Sequence, residues 1–517
     1  MLHGDVLGER ARLTPDRLAL VYVPTGERLR YRDLDARATR LAHAWRERLG
    51  LAAGDRAGLL AYNCPEIVDA FFAAAKSGVI LVPLSTRATA AELEGIVADS
   101  GMKTLLYGPG FLPTLAELRP GVQVDRWVAL DASSVADPLD PVLGALLDPA
   151  APPPLDPATD PAVGPEQPLC LLYTSGTTGR PKGVVVPHRM VAWNAYNTAV
   201  CWQLDQDDVS PIFTPLYHAG GLGAFLLPVF AAGGTVVLHR GFDVDEIWAT
   251  IERERCTVVL GVPTIYKLLM DAPGFRTANL GHVKWLISGG APLPRHIIDA
   301  YQARGVVFKQ GYGLTEVGVN CFSMTVEESV GKAGSIGKPL MFTRARLVGE
   351  DGRDVAEGEV GELWLRGPHV SRGYWNNPEA TAAALDAEGW FHTGDLATRD
   401  GEGFYAIAGR KKDMIISGGV NVYPAEIEAA LAAHPDVADA AVVGVPDETW
   451  GEVGVAFVVA VTGRQPSPGS LSQHVLSRLA KYKLPRAFVF VDALPRTPYG
   501  KVVKDELRRR YVEDQEA

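Results

Sequence analysis

The sequence predicts an α/β protein with a large N-terminal domain and a small mobile α+β C-terminal domain. Three observations carry this. Short β-branched runs alternate with helix-spaced stretches from the amino terminus to about Met341. That alternation implies parallel-rich sheets flanked by helices. Beyond Met341 the segments become strand-like with glycine turns, as in an antiparallel or barrel-like section. The last stretch, of roughly a hundred residues, is long enough for a small domain of its own. The simplest division is 1–411 and 412–517, joined near Lys412.

In chain order, Arg56–Asn63 reads as a strand, Pro65–Ser77 as a helix and Val79–Leu84 as a second strand. The proline-crowded stretch Asp148–Pro168 reads as a surface connector. Asp243–Arg255 has helical spacing, and Thr257–Gly261, Val283–Ser288 and Val306–Lys309 are buried strands. Arg344–Val348, Glu359–Arg366 and Gly403–Ala408 form the barrel-like section. After Gly409-Arg-Lys-Lys-Asp-Met-Ile-Ile416 the order is helix, strand, strand, helix, strand, helix.

Composition narrows the function. The chain has 517 residues, 21% charged and 47% apolar, with a net charge of −11. A bulk negative field disfavours nucleic acid and anionic membranes, so anionic ligands must be held by local basic groups. Cys64, Cys170, Cys201, Cys256 and Cys321 are far apart, giving neither a zinc pattern nor a disulfide framework. No basic-then-apolar leader, membrane-length apolar run or C-terminal retention signal is evident, and the expected location is the cytoplasm.

The densest chemical signal is Leu172-Tyr-Thr-Ser-Gly-Thr-Thr-Gly-Arg-Pro-Lys-Gly-Val184. Hydroxyls of Thr174, Ser175, Thr177 and Thr178 can donate to anionic oxygens. Gly176 and Gly179 let backbone N–H groups converge on the same anion, and Lys182 adds a mobile charge. Such a loop suits a polyphosphate. It is not a Walker A loop, because Lys182 precedes Gly183 rather than the serine or threonine that ligates magnesium. A second cluster, Gln310-Gly-Tyr-Gly-Leu-Thr-Glu316, follows a strand, at the edge where open α/β sheets bind ligands. Tyr312 offers a flat face for a purine, Thr315 a hydroxyl for a phosphate and Glu316 a hard oxygen for Mg2+.

Together these strings resemble the adenylate-forming superfamily, which includes acyl-CoA synthetases, adenylation domains and beetle luciferases. The resemblance spans the whole chain, and the texture is nearest the bacterial fatty acyl-CoA synthetases. Gly389-Trp-Phe-His-Thr-Gly-Asp395 resembles the ribose motif, with Asp395 accepting from both ribose hydroxyls. Gly409-Arg410 opens the hinge motif, and Pro495-Arg-Thr-Pro-Tyr-Gly-Lys501 resembles the motif of the adenylation lysine. The resemblance implies ATP and Mg2+ as cofactors and CoA as co-substrate. It makes Lys501, Lys182, Thr315, Glu316 and His218 the catalytic set, with Gln310, Gly311 and Gly290 at the adenine. Lys412 becomes the pivot of the small domain, and Gly418 and Gly419 the pantetheine entrance.

For the acyl group, Pro215-Leu-Tyr-His-Ala-Gly-Gly221 resembles the motif beside the acid pocket. His218 stands where amino-acid-activating domains carry an aspartate, which argues against an amino-acid substrate. Ser288-Gly-Gly-Ala-Pro-Leu293 supplies another wall. His218, Ala219, Gly220, Gly289, Ala291 and Gly313 then line the pocket, their small size leaving room for an apolar group. The expected reaction joins a medium- or long-chain fatty acid to CoA through acyl-AMP. Aryl-acid CoA ligation and delivery to a carrier protein are the alternatives. A homodimer is a further expectation. So is a protein acetyltransferase acting on Lys501, from the spacing Pro495-x-x-x-x-Gly500-Lys501.

Overall fold

The computed structural model describes residues 3–148, 155, 163–174, 181–290, 293–497 and 501–516. Ser175, Gly176, Thr177, Thr178, Gly179 and Ala291 lie outside the described residues, as does most of the proline-rich connector.

A six-stranded sheet forms one layer, in the order Arg126–Ala129, Thr104–Tyr107, Arg56–Leu60, Ile80–Pro83, Pro168–Thr174, Lys182–Pro187. Its strands are parallel except the last pair, which is antiparallel with Thr174 opposite Lys182. The two residues flanking the expected phosphate loop, Thr174 and Lys182, therefore lie opposite each other on adjacent antiparallel strands. In a Walker A loop a helix would begin where Lys182 begins a strand.

The helix Pro65–Ser77 starts with Pro65 at its first position and stops at Gly78, which takes φ +74°. Nearly every side chain in it is buried, because Ile67, Val68, Phe71, Phe72 and the alanines Ala73–Ala75 leave no polar face. Its one internal cation, Lys76, is neutralised by Asp5 and Asp35, each 2.6 Å away. Burial this complete fits a helix packed on both sides.

A second sheet pairs Glu27–Arg30, Leu18–Tyr22, Thr235–Leu238 and Val209–Ile212. A third holds the parallel strands Val258–Gly261, Trp285–Ser288 and Phe308–Gln310. The antiparallel section comprises Arg344–Val348, Gly361–Arg366, Phe391–Arg399 and Tyr405–Arg410. The final sheet is built on Val437–Asp447 and Gly451–Ala460, joined by the small hairpin Ile415–Ser417 and Val420–Val422 and by Ala487–Phe490. Its helices are Pro424–Ala432, Pro468–Leu476 and Lys504–Glu516. Among the described residues, no helix is long and apolar enough to cross a membrane.

Candidate functional site

Three parallel strands end together. Their register sets Gly261 beside Ser288 and Ser288 beside Gln310, so the segments after Ser288 and Gln310 leave the same sheet edge. Gly311 donates its N–H to the Ser288 carbonyl at 2.8 Å, and Gly289 to that of Gly261 at 3.1 Å. Gly290 takes φ +81° just beyond. A side chain at Gly289 would meet open space, which leaves a flat glycine surface for a ring to approach.

Tyr312 follows and packs edge-on against Phe322 at 5.6 Å. Its hydroxyl donates to Asp395 Oδ2 at 2.5 Å. Asp395, only 3% exposed, lies on Phe391–Arg399 directly opposite Arg410 in the ladder. Arg410 Nε stands 2.6 Å from Asp395 Oδ1. Burial raises the Asp395 pKa, with the Arg410 charge acting against that rise. Asp395, Arg410 and Tyr312 thus form one hydrogen-bonded group at the sheet edge.

Glu316 sits in the single turn Thr315–Val317. Tyr374 donates its hydroxyl to Glu316 Oε1 at 2.9 Å, and Ser371 N–H donates to the Glu316 carbonyl at 2.8 Å. Among the described residues no group of three or more His, Cys, Asp or Glu could cage a metal. A lone carboxylate fits Mg2+ nonetheless, because that ion keeps waters and substrate phosphates as its other ligands. Lys182 Nζ lies 5.2 Å from the Tyr374 ring centroid.

Lys501 reaches this group from the other end of the chain. Its N–H donates to Thr497 Oγ1 at 3.2 Å, and Thr497 N–H to the Lys501 carbonyl at 2.7 Å. The helix begins only at Lys504, so Lys501 is on a turn. Its pKa is lowered, by burial first and the Arg410 charge second, while Asp395 and Glu316 pull it back up. These are the charges a lysine between the two carboxylates would feel.

His218 also senses Lys501. Burial first and that charge second push its pKa down to about 3, and its Nδ1 accepts from Gly220 N–H at 3.0 Å. A histidine whose folded pKa lies below its unfolded value near 6.5 contributes no pH dependence above that value. Below it the unfolded chain gains a proton that the folded chain refuses, so stability falls as pH drops. Between pH 7 and 5, His218→Gln is expected to remove about 2 kcal/mol of this acid loss. Denaturant titrations of both proteins at the two pH values check it; identical acid losses would refute it.

The glycines around the pocket are not alike. A Cβ at Gly220 would come within 3.2 Å of His218 Nδ1. At Gly313 a Cβ would overlap the Val319 backbone, and at Gly221 the Pro215 carbonyl. These two allow chain segments to cross, rather than clearing room for a ligand. Val319 itself holds φ +61°, unusual for a β-branched residue. Asn320 anchors it by donating to Thr198 Oγ1 at 3.2 Å and the Ala224 carbonyl at 3.0 Å. Ala219, Leu222, Gly223, Leu227 and Val319 help line an apolar cavity of about 30 Å3 behind the pocket motif.

Lys412 lies apart, with Nζ 3.9 Å from Asp505 Oδ2. Gly418 and Gly419, at φ +58° and +79°, make an exposed hairpin tip beside Trp450. Sequence reasoning missed Tyr374, Ser371 and Val319. The turn-rich run Gly373-Tyr-Trp-Asn-Asn-Pro378 gave a local signal of structure but none of its contact with Glu316.

Comparison with known proteins shows the family. The family described as "AMP-binding enzyme" matches residues 7–375, and "AMP-binding enzyme C-terminal domain" matches 426–501. A feruloyl-CoA synthase of an Amycolatopsis species is 41% identical over 504 residues, 97% of each chain. A long-chain-fatty-acid–CoA ligase of Mycobacterium tuberculosis is 38% identical over 513 residues, 98% of each. The crystal structure of ATP-bound MatB from Rhodopseudomonas palustris superposes with a TM-score of 0.88 at 31% identity, covering 98% of this chain and 99% of that one.

Proposed function

We infer, for a chain that belongs to the AMP-binding enzyme family and is an ATP-dependent, AMP-forming acid–CoA ligase, that its acid is a monocarboxylate with an apolar body. The observation that carries the chemistry is the group Tyr312–Asp395–Arg410 beside the sheet edge, whose charges, with that of Glu316, act on Lys501. In this reading the acid's carboxylate oxygen attacks the α-phosphorus of ATP and pyrophosphate leaves. Lys501 bridges the two anions, whose mutual repulsion is the main electrostatic obstacle. Lys182, Thr174 and the loop between them grip the outer phosphates. Asp395 takes the ribose hydroxyls, and Tyr312 with Gly290 and Gln310 holds the adenine. Glu316 is the residue that would hold Mg2+, and Thr315 stands next to it. The ion supplies further neutralisation of phosphate charge.

The second half-reaction attaches the acyl carbon to the CoA sulfur and expels AMP. Lys501 occupies the approach and has to withdraw first. A swing of the last domain about Lys412 would remove it and bring Gly418 and Gly419 in to line the thiol's path. A cytoplasmic location is part of the reading, because ATP and CoA must both be supplied.

Two features bear on the acid. No charged side chain lines the apolar cavity behind the pocket motif, which disfavours a second carboxylate. Aromatic acids come first, as in the names of the feruloyl-CoA synthase and the indoleacetate–CoA ligase, 41% and 39% identical to this chain. A medium- or long-chain fatty acid, as the sequence texture suggested, is the second reading, supported by the mycobacterial relative.

The test incubates the protein with Mg-ATP, CoA and ferulate, indoleacetate, octanoate or palmitate, and identifies products by mass. Aryl-CoA formed with the highest kcat/KM supports the first reading. Palmitoyl- or octanoyl-CoA dominating replaces it with the second. Acyl-AMP accumulating in the presence of CoA transfers the role of acceptor to a carrier protein. Acetylation of Lys501 by a protein acetyltransferase would remove its charge and should stop adenylation.

A further inference from the structure

A short segment between Gly361–Arg366 and Phe391–Arg399 of the antiparallel section runs along the outer edge of Lys182–Pro187. Val185 N–H donates to the Gly373 carbonyl at 2.9 Å, Arg372 N–H to the Val185 carbonyl at 3.1 Å, and Trp375 N–H to the Gly183 carbonyl at 2.7 Å. Tyr374 bridges Val184 in this ladder, and its own N–H donates to Thr381 Oγ1 at 2.9 Å. The backbone of Tyr374 is thus fixed from two sides, next to the strand that Lys182 opens.

From that fixed point one side chain touches both ends of the phosphate site. The Tyr374 hydroxyl donates to Glu316 Oε1, and its ring lies under the Lys182 ammonium at cation–π distance. The same segment holds the Glu316 backbone through Ser371. A carboxylate with one oxygen occupied by a fixed donor presents the other in a defined direction. An ammonium resting on an aromatic face likewise loses much of its freedom to wander.

We propose that Tyr374 is a positioning residue that aims the free oxygen of Glu316 at the nucleotide's Mg2+ and seats Lys182 for the outer phosphates. This rests on the reading that Glu316 holds the ion. Partners that orient a metal's ligands, when removed, typically cost about 10- to 100-fold in metal affinity or activity. Tyr374→Phe keeps the ring and the ladder and deletes only the hydroxyl. It is expected to weaken ATP binding in Mg2+ by about tenfold and to raise the half-saturating Mg2+ to match. AMP binding in EDTA and the thermal midpoint should stay at wild-type values, because neither uses the Glu316–metal contact. Tyr374→Leu should further weaken ATP binding in EDTA, where only the seat of Lys182 matters.

Calorimetric titration of ATP with and without Mg2+, and of AMP in EDTA, reads all of this without turnover. Glu316→Gln serves as the control. If Glu316→Gln shifts the Mg2+ dependence and Tyr374→Phe does not, the positioning role is wrong. If Tyr374→Phe lowers ATP and AMP binding equally, with or without metal, its role is structural and the proposal is likewise overturned. If Glu316→Gln leaves the Mg2+ dependence unchanged, the assignment of Glu316 fails, and the proposal falls with it.

Discussion

Replacing Lys501 by alanine is expected to slow acyl-AMP formation by about 10²- to 10³-fold while leaving thioester formation from supplied acyl-AMP near the wild-type rate. The split follows from position. Lys501 belongs to the last domain, and the charges of Arg410, Asp395 and Glu316 act on it. Loss of hydration and the Arg410 charge lower its pKa. Carboxylate and α-phosphate supply the missing negative charge, so the lysine is best stabilised when both are present. No such anion pair is joined in the thiol step, and in the proposed swing the domain turns away for it. Pyrophosphate release from acid and Mg-ATP reads the first step. Thioester formation from synthetic acyl-AMP and CoA reads the second. Equal losses in both would reject the division of labour between the two domain positions.

Gly313→Ala is expected to abolish adenylation and to lower the unfolding free energy by about 3 kcal/mol. The added methyl would overlap backbone atoms of Val319, which cannot rotate away as a side-chain end could. Val319 has little slack, since it already sits at φ +61° beside the tethered Asn320. Relief must come from moving Gln310–Glu316, the segment that carries Tyr312 and Glu316, the proposed magnesium ligand. Urea titration and ATP binding, measured together, check this. Wild-type values in both would mean that the crossing tolerates a side chain.

The residues that were legible in the sequence are those whose environment is set locally. Pro65–Ser77 follows its sequence bounds because a proline opens it and a glycine in the left-handed region closes it. Arg344–Val348 likewise matches its bounds. In the last domain, helix, strand, strand, helix, strand and helix follow as read, but only after the small hairpin Ile415–Ser417 and Val420–Val422, which the sequence reading missed. Tyr374 was not legible, because its partner Glu316 is 58 residues away and Lys182 still farther. Pairing at that range is set by which strand edge the segment joins, and no periodicity records it. Gly313 was read as space for an acyl group, and the structure makes it a crossing point. A glycine in sequence states only that a side chain is missing, not whether ligand or backbone fills the gap. Gly289, which opens onto free space, and Gly313 show both cases within one site.

The pairing of Asp395 with Tyr312 and Arg410 bears on how the enzyme turns over. Both carboxylate oxygens are engaged before any nucleotide arrives, one by each partner. A ribose therefore trades hydrogen bonds with the protein instead of rescuing a stranded charge. The net gain of such an exchange is small compared with satisfying an orphaned ion. If Asp395 takes the ribose as proposed, departure of AMP hands the carboxylate back to Tyr312 and Arg410, which already hold it in the empty site.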